Sequence, residues 1–329
     1  MNLSIIFFCL ISFSFGQWFN VIHDNVNRSY YMAFPDNIYE SAPLIINMHG
    51  FGGNAIQQQS YTQMTTFAHT ENIAVVYPQG LNNSWNVFTF WDNNSNDDVG
   101  FISLMIDDIA ENFDIDLNRI YACGMSNGGY MSYRLACDLS DKITAFGSVT
   151  GNFMLNNDYY DCLDQDRDIP IIHFHGTADG VVNYYPPSFD GALTIGESID
   201  FWAEYNNLNY ETVNLISNNV EVYKYYNETN TTEFVHYKIY GGGHDWFGDF
   251  WGFETSAELI NFFMQYQLSD FIVNQIEGDL NEDYLVNIQD IIMMINIILN
   301  NEFFIIADFN SDQTNDILDL IHILNIILN

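Results

Sequence analysis

Short runs of unbroken apolar residues alternate along the chain with stretches of helical period. Leu44–Met48 and Ile73–Tyr77 are continuous apolar runs, the pattern of strands buried on both faces. Arg119–Cys123, Ala145–Thr150 and Ile169–Phe174 read the same way, and Glu221–Tyr226 and Thr232–Tyr240 add two further strands. Between them, Gln57–His69, Val99–Phe113, Tyr130–Ala136, Ile199–Tyr205 and Thr255–Tyr266 carry the 3.6-residue period of helices packed on one side. Near the start, Gln17 to Phe34 alternates polar and apolar around Asp24-Asn25, which predicts an antiparallel hairpin. Strands that alternate with helices predict an α/β fold with a mostly parallel, doubly wound sheet.

The chemistry-bearing residues stand just past the ends of these strands, where open α/β sheets place their sites. Gly124-Met125-Ser126-Asn127-Gly128 lies between a predicted strand and a predicted helix. A G-x-S-x-G in that setting is a nucleophile elbow, which forces the serine into a strained turn with its hydroxyl clear of the sheet. A serine hydroxyl needs a base, and the base needs a carboxylate to fix its tautomer. Asp179 follows a strand in His175-Gly-Thr-Ala-Asp179, and His244 follows another in Gly241-Gly-Gly-His244. Ser, Asp, His is the chain order of the α/β-hydrolases. Ser126 is therefore the expected nucleophile, His244 the base and then acid, and Asp179 the orienting carboxylate. Asp245 competes for the acid role but is adjacent to His244, and His173 and His175 read as buried structural histidines. The oxyanion donors are expected at the N–H groups of Asn127, just after the nucleophile, and Phe51, in the loop His49-Gly-Phe-Gly-Gly53. His49 itself reads as a brace for that loop. No cofactor is expected for catalysis.

These motifs resemble, in order, those of the secreted polyhydroxybutyrate depolymerase and feruloyl esterase group of α/β-hydrolases. The likeness covers about residues 20 to 266 and rests on His49-Gly-Phe-Gly-Gly53, Tyr77-Pro-Gln-Gly80 with Trp85, Asp97-Asp-Val-Gly-Phe101, the elbow, His175-Gly-Thr-Ala-Asp179 and Gly242-Gly-His-Asp-Trp246. It implies hydrolysis of carboxylic esters through an acyl-enzyme. Feruloyl or acetyl esters on plant or algal xylan are the leading substrates and a hydroxyalkanoate polyester the alternative. A noncatalytic carbohydrate-binding or scaffold-attached protein and a serine peptidase of the same fold are the rival classes. Trp85, Trp91 and Trp246, with Tyr184 and Tyr185, are candidate substrate contacts, weighed against a core role.

After residue 268 the pattern changes. Residues 279–290 and 308–319 are acidic, Asn-rich loops, each followed by an apolar helix-forming run, and the second unit repeats the first. Oxygen donors fall at loop positions 1, 3, 5, 9 and 12: Asp279, Asn281, Asp283, Asn287 and Asp290, then Asp308, Asn310, Asp312, Asp316 and Asp319. The backbone carbonyls of Leu285 and Thr314 would complete position 7. Hard oxygen donors at this spacing predict two Ca²⁺ sites. The duplicated loop-helix resembles a type I dockerin, which implies a cohesin-like partner. Position 6, glycine in such loops, is Tyr284 and Gln313 here.

The predicted organisation is a signal peptide over 1–16, an esterase domain over 17–268, a linker over 269–276 and a calcium-binding module over 277–329. The apolar run Ile5–Phe15 is too short to span a bilayer and predicts export with release, hence a secreted, extracellular protein, with attachment at a cell surface as the variant reading. In an oxidising compartment Cys137 and Cys162 are the expected disulfide, with Cys123 a buried thiol. Composition adds one strong exclusion. Of 329 residues, seven are Lys or Arg and 43 are Asp or Glu, a formal charge of -36. Such a surface repels nucleic acid and anionic membranes.

Overall fold

The computed structural model describes residues 16–34, 41–88, 94–154, 167–188, 192–228, 232–271, 277–281, 285–310 and 312–328. Residues 1–15 of the expected signal peptide, Trp91, Cys162, residues 272–276 of the expected linker and Asp283 lie outside the described residues.

Ten strands form one sheet: β1 (Gln17–His23), β2 (Val26–Ala33), β3 (Ala42–Met48), β4 (Ala74–Pro78), β5 (Ile115–Met125), β6 (Ala145–Val149), β7 (Ile171–Gly176), β8 (Tyr210–Ser217), β9 (Val220–Tyr226) and β10 (Glu233–Ile239). Their order is β1-β2-β4-β3-β5-β6-β7-β10-β9-β8. The six central strands from β4 to β10 pair in parallel, and antiparallel pairs close both edges. Eight α-helices accompany them among the described residues: α1 (Ala55–Thr62), α2 (Met64–Ala68), α3 (Asp98–Asn112), α4 (Asn127–Asp138), α5 (Ile195–Tyr205), α6 (Thr255–Phe263), α7 (Ile288–Asn300) and α8 (Ile317–Leu328).

Strand alternation explains the two-sided wrapping. In β3, Leu44, Ile46 and Met48 join one core, with side chains of α3, α4 and α5. Ile45 points the other way, into a second core with α2 and α6. In β5, Ile120 and Ala122 go to the first core and Tyr121 and Cys123 to the second. Continuous apolar runs are what such strands require, because both faces lose water.

Two elements depart from the pattern. The single helix expected over Gln57–His69 breaks at Gln63, which takes left-handed backbone (φ 49) and separates α1 from α2. Strand β8 has no counterpart in the sequence reading. It is an edge strand exposed along almost its whole length, so neither face demands apolar residues. The hairpin turn does fall at Asp24-Asn25, both with positive φ as a tight two-residue connection requires.

A third, small cluster gathers Met294 and Ile297 of α7 and Ile323 of α8 with Leu280 and Ala307 from the segments before them. No described helix is long and apolar enough to cross a membrane. Cys137 is disulfide-bonded and Cys123 is a buried free thiol.

Candidate active site

Ser126 stands between the central strand β5 and α4, as the N-cap of that helix, with φ 54 and ψ -118. For a residue with a Cβ this conformation costs about 1–3 kcal/mol. It persists because both flanking glycines are closed in by backbone. A Cβ on Gly124 would lie 2.5 Å from the carbonyl carbon of Gly128, and one on Gly128 would lie 2.3 Å from the Met48 oxygen. The Ser126 N–H also donates to the Val149 carbonyl at 2.8 Å, and the Ser126 carbonyl accepts from Tyr130 N at 2.9 Å.

Asp179 sits in the turn after β7. Its Oδ1 accepts from the N–H groups of Val181 (2.8 Å) and Val182 (2.9 Å). Its Oδ2 lies 2.8 Å from His244 Nδ1. The two loops meet backbone to backbone: a Cβ on Gly176 would strike the Gly242 oxygen at 2.2 Å, and Ala178 N donates to Gly242 O at 2.9 Å. Burial opposes ionisation of Asp179, but bonds from His175, His244 and the turn outweigh it and hold the carboxyl well below its usual range.

Ser126 and His244 line one cleft of about 260 Å³, together with His49, Gly50, Phe51, Tyr61 and residues of α1. Gly50 packs on the elbow, where a Cβ would lie 3.4 Å from Ser126 Cβ, so the loop carrying Phe51 is held against Ser126. His49 is buried and braces that loop: Nδ1 lies 2.8 Å from Gly50 O, and Nε2 accepts from Gly80 N at 3.0 Å. Burial drops its imidazole to about 4, so it is neutral, as an acceptor must be.

Two expected substrate contacts are corrected. Trp85 is fully buried, and its Nε1 donates to the His49 carbonyl at 2.8 Å. Its backbone N–H and carbonyl are clamped by the Asn127 side chain at 2.7 and 3.1 Å. Trp85 therefore ties the Phe51 loop to the first residue of α4. Trp246 is also buried, with Nε1 on Ser256 Oγ at 3.1 Å. An indole needs a partner for its N–H when desolvated, and both found one inside the protein. Of the two candidate tyrosines, Tyr184 packs against His175 and His236, and Tyr185 stands half exposed.

The aromatics that do face the cleft are Phe51, 58% exposed, and Tyr61, 47% exposed. Tyr61 went unnoticed in the sequence. Its hydroxyl donates to Asp245, 184 residues along the chain, and accepts from Trp246 N at 3.0 Å. Asp245 is thereby engaged away from His244, which removes it as a rival to Asp179.

In the calcium-loop candidates, Asp290 Oδ1 accepts from Leu280 N and Asn281 N at 2.8 and 3.2 Å, and Oδ2 from Asn287 N at 2.7 Å. Asp319 repeats the pattern with Phe309 N, Asn310 N and Asp316 N at 2.9, 3.3 and 2.9 Å. Both carboxylates are fully buried, and neither has a basic partner among the described residues. Asp308 accepts from Asp312 N (3.1 Å) and Gln313 N (2.8 Å), and Gln313 takes φ 66, the conformation a glycine would adopt at position 6. Asn287 caps α7 through Gln289 N, and Asp316 accepts from Leu318 N.

Comparison with known proteins agrees with this architecture. A family model described as phospholipase/carboxylesterase matches residues 36–211, more than half of the chain. A bifunctional acetylxylan esterase/xylanase of Neocallimastix patriciarum is 32% identical over 157 residues, covering 48% of this chain and 22% of that protein. Feruloyl esterase B of Piromyces equi is 32% identical over 237 residues, covering 66% of this chain and 42% of its own. The chain thus spans less than half the length of these two relatives. Among solved structures, an acetyl xylan esterase from Aspergillus awamori superposes with a TM-score of 0.52 at 15% identity, covering 70% of this chain and 94% of that one. A ferulic acid esterase from Anaeromyces mucronatus gives 0.51 at 15% identity, covering 80% and 93%. At that identity the two structures speak for the fold alone. With the family model spanning the elbow and the Asp179 turn on this fold, the chain belongs to the phospholipase/carboxylesterase family of α/β-hydrolases.

Proposed function

We propose that this protein is a serine esterase that hydrolyses feruloyl or acetyl esters on a xylan-type polysaccharide. The observation that carries the reading is the meeting of a strained Ser126 with His244, itself held by Asp179, in one open cleft. His244 takes the Ser126 proton as Oγ attacks the ester carbonyl. The oxyanion is met by the N–H of Asn127, and that of Phe51 is the second donor. His244 returns the proton to the leaving sugar hydroxyl, and the acyl group stays on Oγ. Water, deprotonated by His244, then releases the acid and restores the serine. Asp179 stays ionised throughout, which fixes the His244 tautomer and stabilises the imidazolium. The names and sequence likeness of the two fungal relatives support the substrate class, and the exposed rings of Phe51 and Tyr61 suit an aromatic acyl group.

Hydrolysis of methyl ferulate, acetylated xylan and a hydroxybutyrate oligomer, each beside the Ser126→Ala variant, tests this. Activity on the first or second that vanishes in the variant supports it. Turnover of the oligomer alone would favour a polyester depolymerase, and none on any would move the assignment to a peptidase or a binding protein.

We further infer that residues 277–329 form a calcium-stiffened, dockerin-like attachment module on a secreted enzyme. Asp279, Asn281, Asp283, Leu285, Asn287 and Asp290 would hold one ion, and Asp308, Asn310, Asp312, Thr314, Asp316 and Asp319 the other. In support, burial and the neighbouring charges of Asp319 and Asp312 push the Asp308 carboxyl up, a repulsion that a divalent cation would relieve. Ile288, Ile317 and Leu318 are exposed and suit an attachment surface for a cohesin-like partner. The ions supply charge neutralisation and loop rigidity, with no part in ester cleavage. Calcium at about 100 times its dissociation constant is expected to stabilise each site by about 2.7 kcal/mol. Thermal unfolding in calcium and in chelator measures this. Identical melting profiles would remove the calcium reading, and small-ester activity is expected to be equal in both.

A further inference from the structure

Behind Asp179 runs a buried line of polar rings that the ester chemistry leaves unused. His173 and His175 are alternate residues of β7, so they project from one face of the sheet, and both are fully buried. His175 Nε2 lies 2.9 Å from the Val182 carbonyl and 3.4 Å from Asp179 Oδ2. Both of those atoms can only accept, so Nε2 carries a proton. His175 Nδ1 is 3.1 Å from His173 Nε2, and His173 Nδ1 is 3.2 Å from the Tyr133 hydroxyl. One proton order satisfies these four contacts without placing a charge in the core: Tyr133 donates to His173, His173 to His175, and His175 to Val182 and Asp179, while the Gly151 backbone also lies against the His173 ring and favours an N–H there. Burial, then the neighbouring His236 and His175, keep His173 well below the usual imidazole range, consistent with a neutral ring. His236, whose ring is 5.2 Å from that of His173, is held at about 3 by the same burial, and its Nε2 is 3.0 Å from the Tyr184 hydroxyl.

The two ends of the line matter. Tyr133 belongs to α4, the helix that Ser126 begins. Val182 closes the turn that aims Asp179, and its N–H already holds Asp179 Oδ1. We propose that Tyr133, His173 and His175 are positioning residues, a one-directional hydrogen-bond chain that fixes the Asp179 turn relative to the nucleophile's helix and keeps the carboxylate aimed at His244. Bonds in such a buried chain polarise one another, so the donor at Asp179 is stronger than an isolated imidazole would supply. The inference rests on the assignment of Asp179 as the group that orients His244.

Steady-state kinetics on one hydrolysed ester, with thermal unfolding of each variant, tests it. His175→Leu removes the donor and is expected to lower kcat about 10- to 100-fold, the scale of a small misplacement at a reacting centre, with KM changed by less than about twofold. His175→Gln keeps an N–H at similar reach and is expected to restore most of kcat. Tyr133→Phe keeps the ring packing and is expected to lower kcat about threefold, one neutral hydrogen bond. A folded His175→Leu with full kcat, or a His175→Gln as impaired as the leucine variant, would overturn the chain. If His175→Leu does not fold, full kcat in Tyr133→Phe overturns it instead. Asp179→Asn separates the levels: full activity there overturns the triad reading itself, whereas loss there with His175→Leu and Tyr133→Phe unimpaired overturns only the hydrogen-bond chain.

Discussion

Ser126→Ala is expected to lower kcat/KM for any ester this enzyme cleaves by about 10⁴- to 10⁶-fold, while leaving the protein as stable as the parent. The size follows from the loss of the covalent route, since oxyanion donors and binding alone retain only a residual rate. Stability should hold because the hydroxyl is not what supports the turn. Alanine meets the same backbone demand at φ 54, with Gly124 and Gly128 still closed against the backbone of β3 and α4. Steady-state assays with circular dichroism melting check both halves. A variant that kept even a hundredth of the activity would mean that another group carries the attack.

Asp179→Asn is expected to cost about 10⁴-fold in kcat. An amide at this position keeps the volume, and Oδ1 can still accept from Val181 and Val182. The atom facing His244 then becomes an N–H, which drives the imidazole into the tautomer that cannot take the Ser126 proton. The same substitution carries a signed pH effect on stability. The native carboxyl titrates below its unfolded value, so its contribution is fully present above about pH 4. It is lost as the pH falls through the folded value. The stability difference between parent and variant is therefore expected to shrink on acidification below pH 4, and a difference that grew there would contradict the assigned bonding.

The parts of this site that the sequence displayed are those whose chemistry is local. Gly124-Met-Ser-Asn-Gly128 contains its own turn, and Asp179 and His244 lie within Gly-rich bends just beyond strand ends. The parts it hid depend on partners far along the chain. Trp85 looks like a sugar-stacking residue until its indole N–H is found on His49, 36 positions away. Tyr61 is an unremarked tyrosine of α1 until Asp245 reaches it. His173 and His175 announce burial through their strand, but not the order of their protons, which Tyr133 and Val182 set. The fold follows the same rule. Strands buried on both faces have no freedom of composition and stand out, whereas β8, exposed along almost its whole length, has no buried face to mark it as a strand.

The free thiol of Cys123 lies three residues before Ser126, in the middle of the sheet, while Cys137 is already oxidised. Burial leaves that thiol fully out of water and pushes its ionisation far up, so a maleimide finds nothing to react with while β5 keeps its neighbours. The chain thus carries an internal clock. The rate at which Cys123 takes up a label counts how often the strand beneath the elbow comes apart, and a batch of enzyme can be graded for intactness without any substrate.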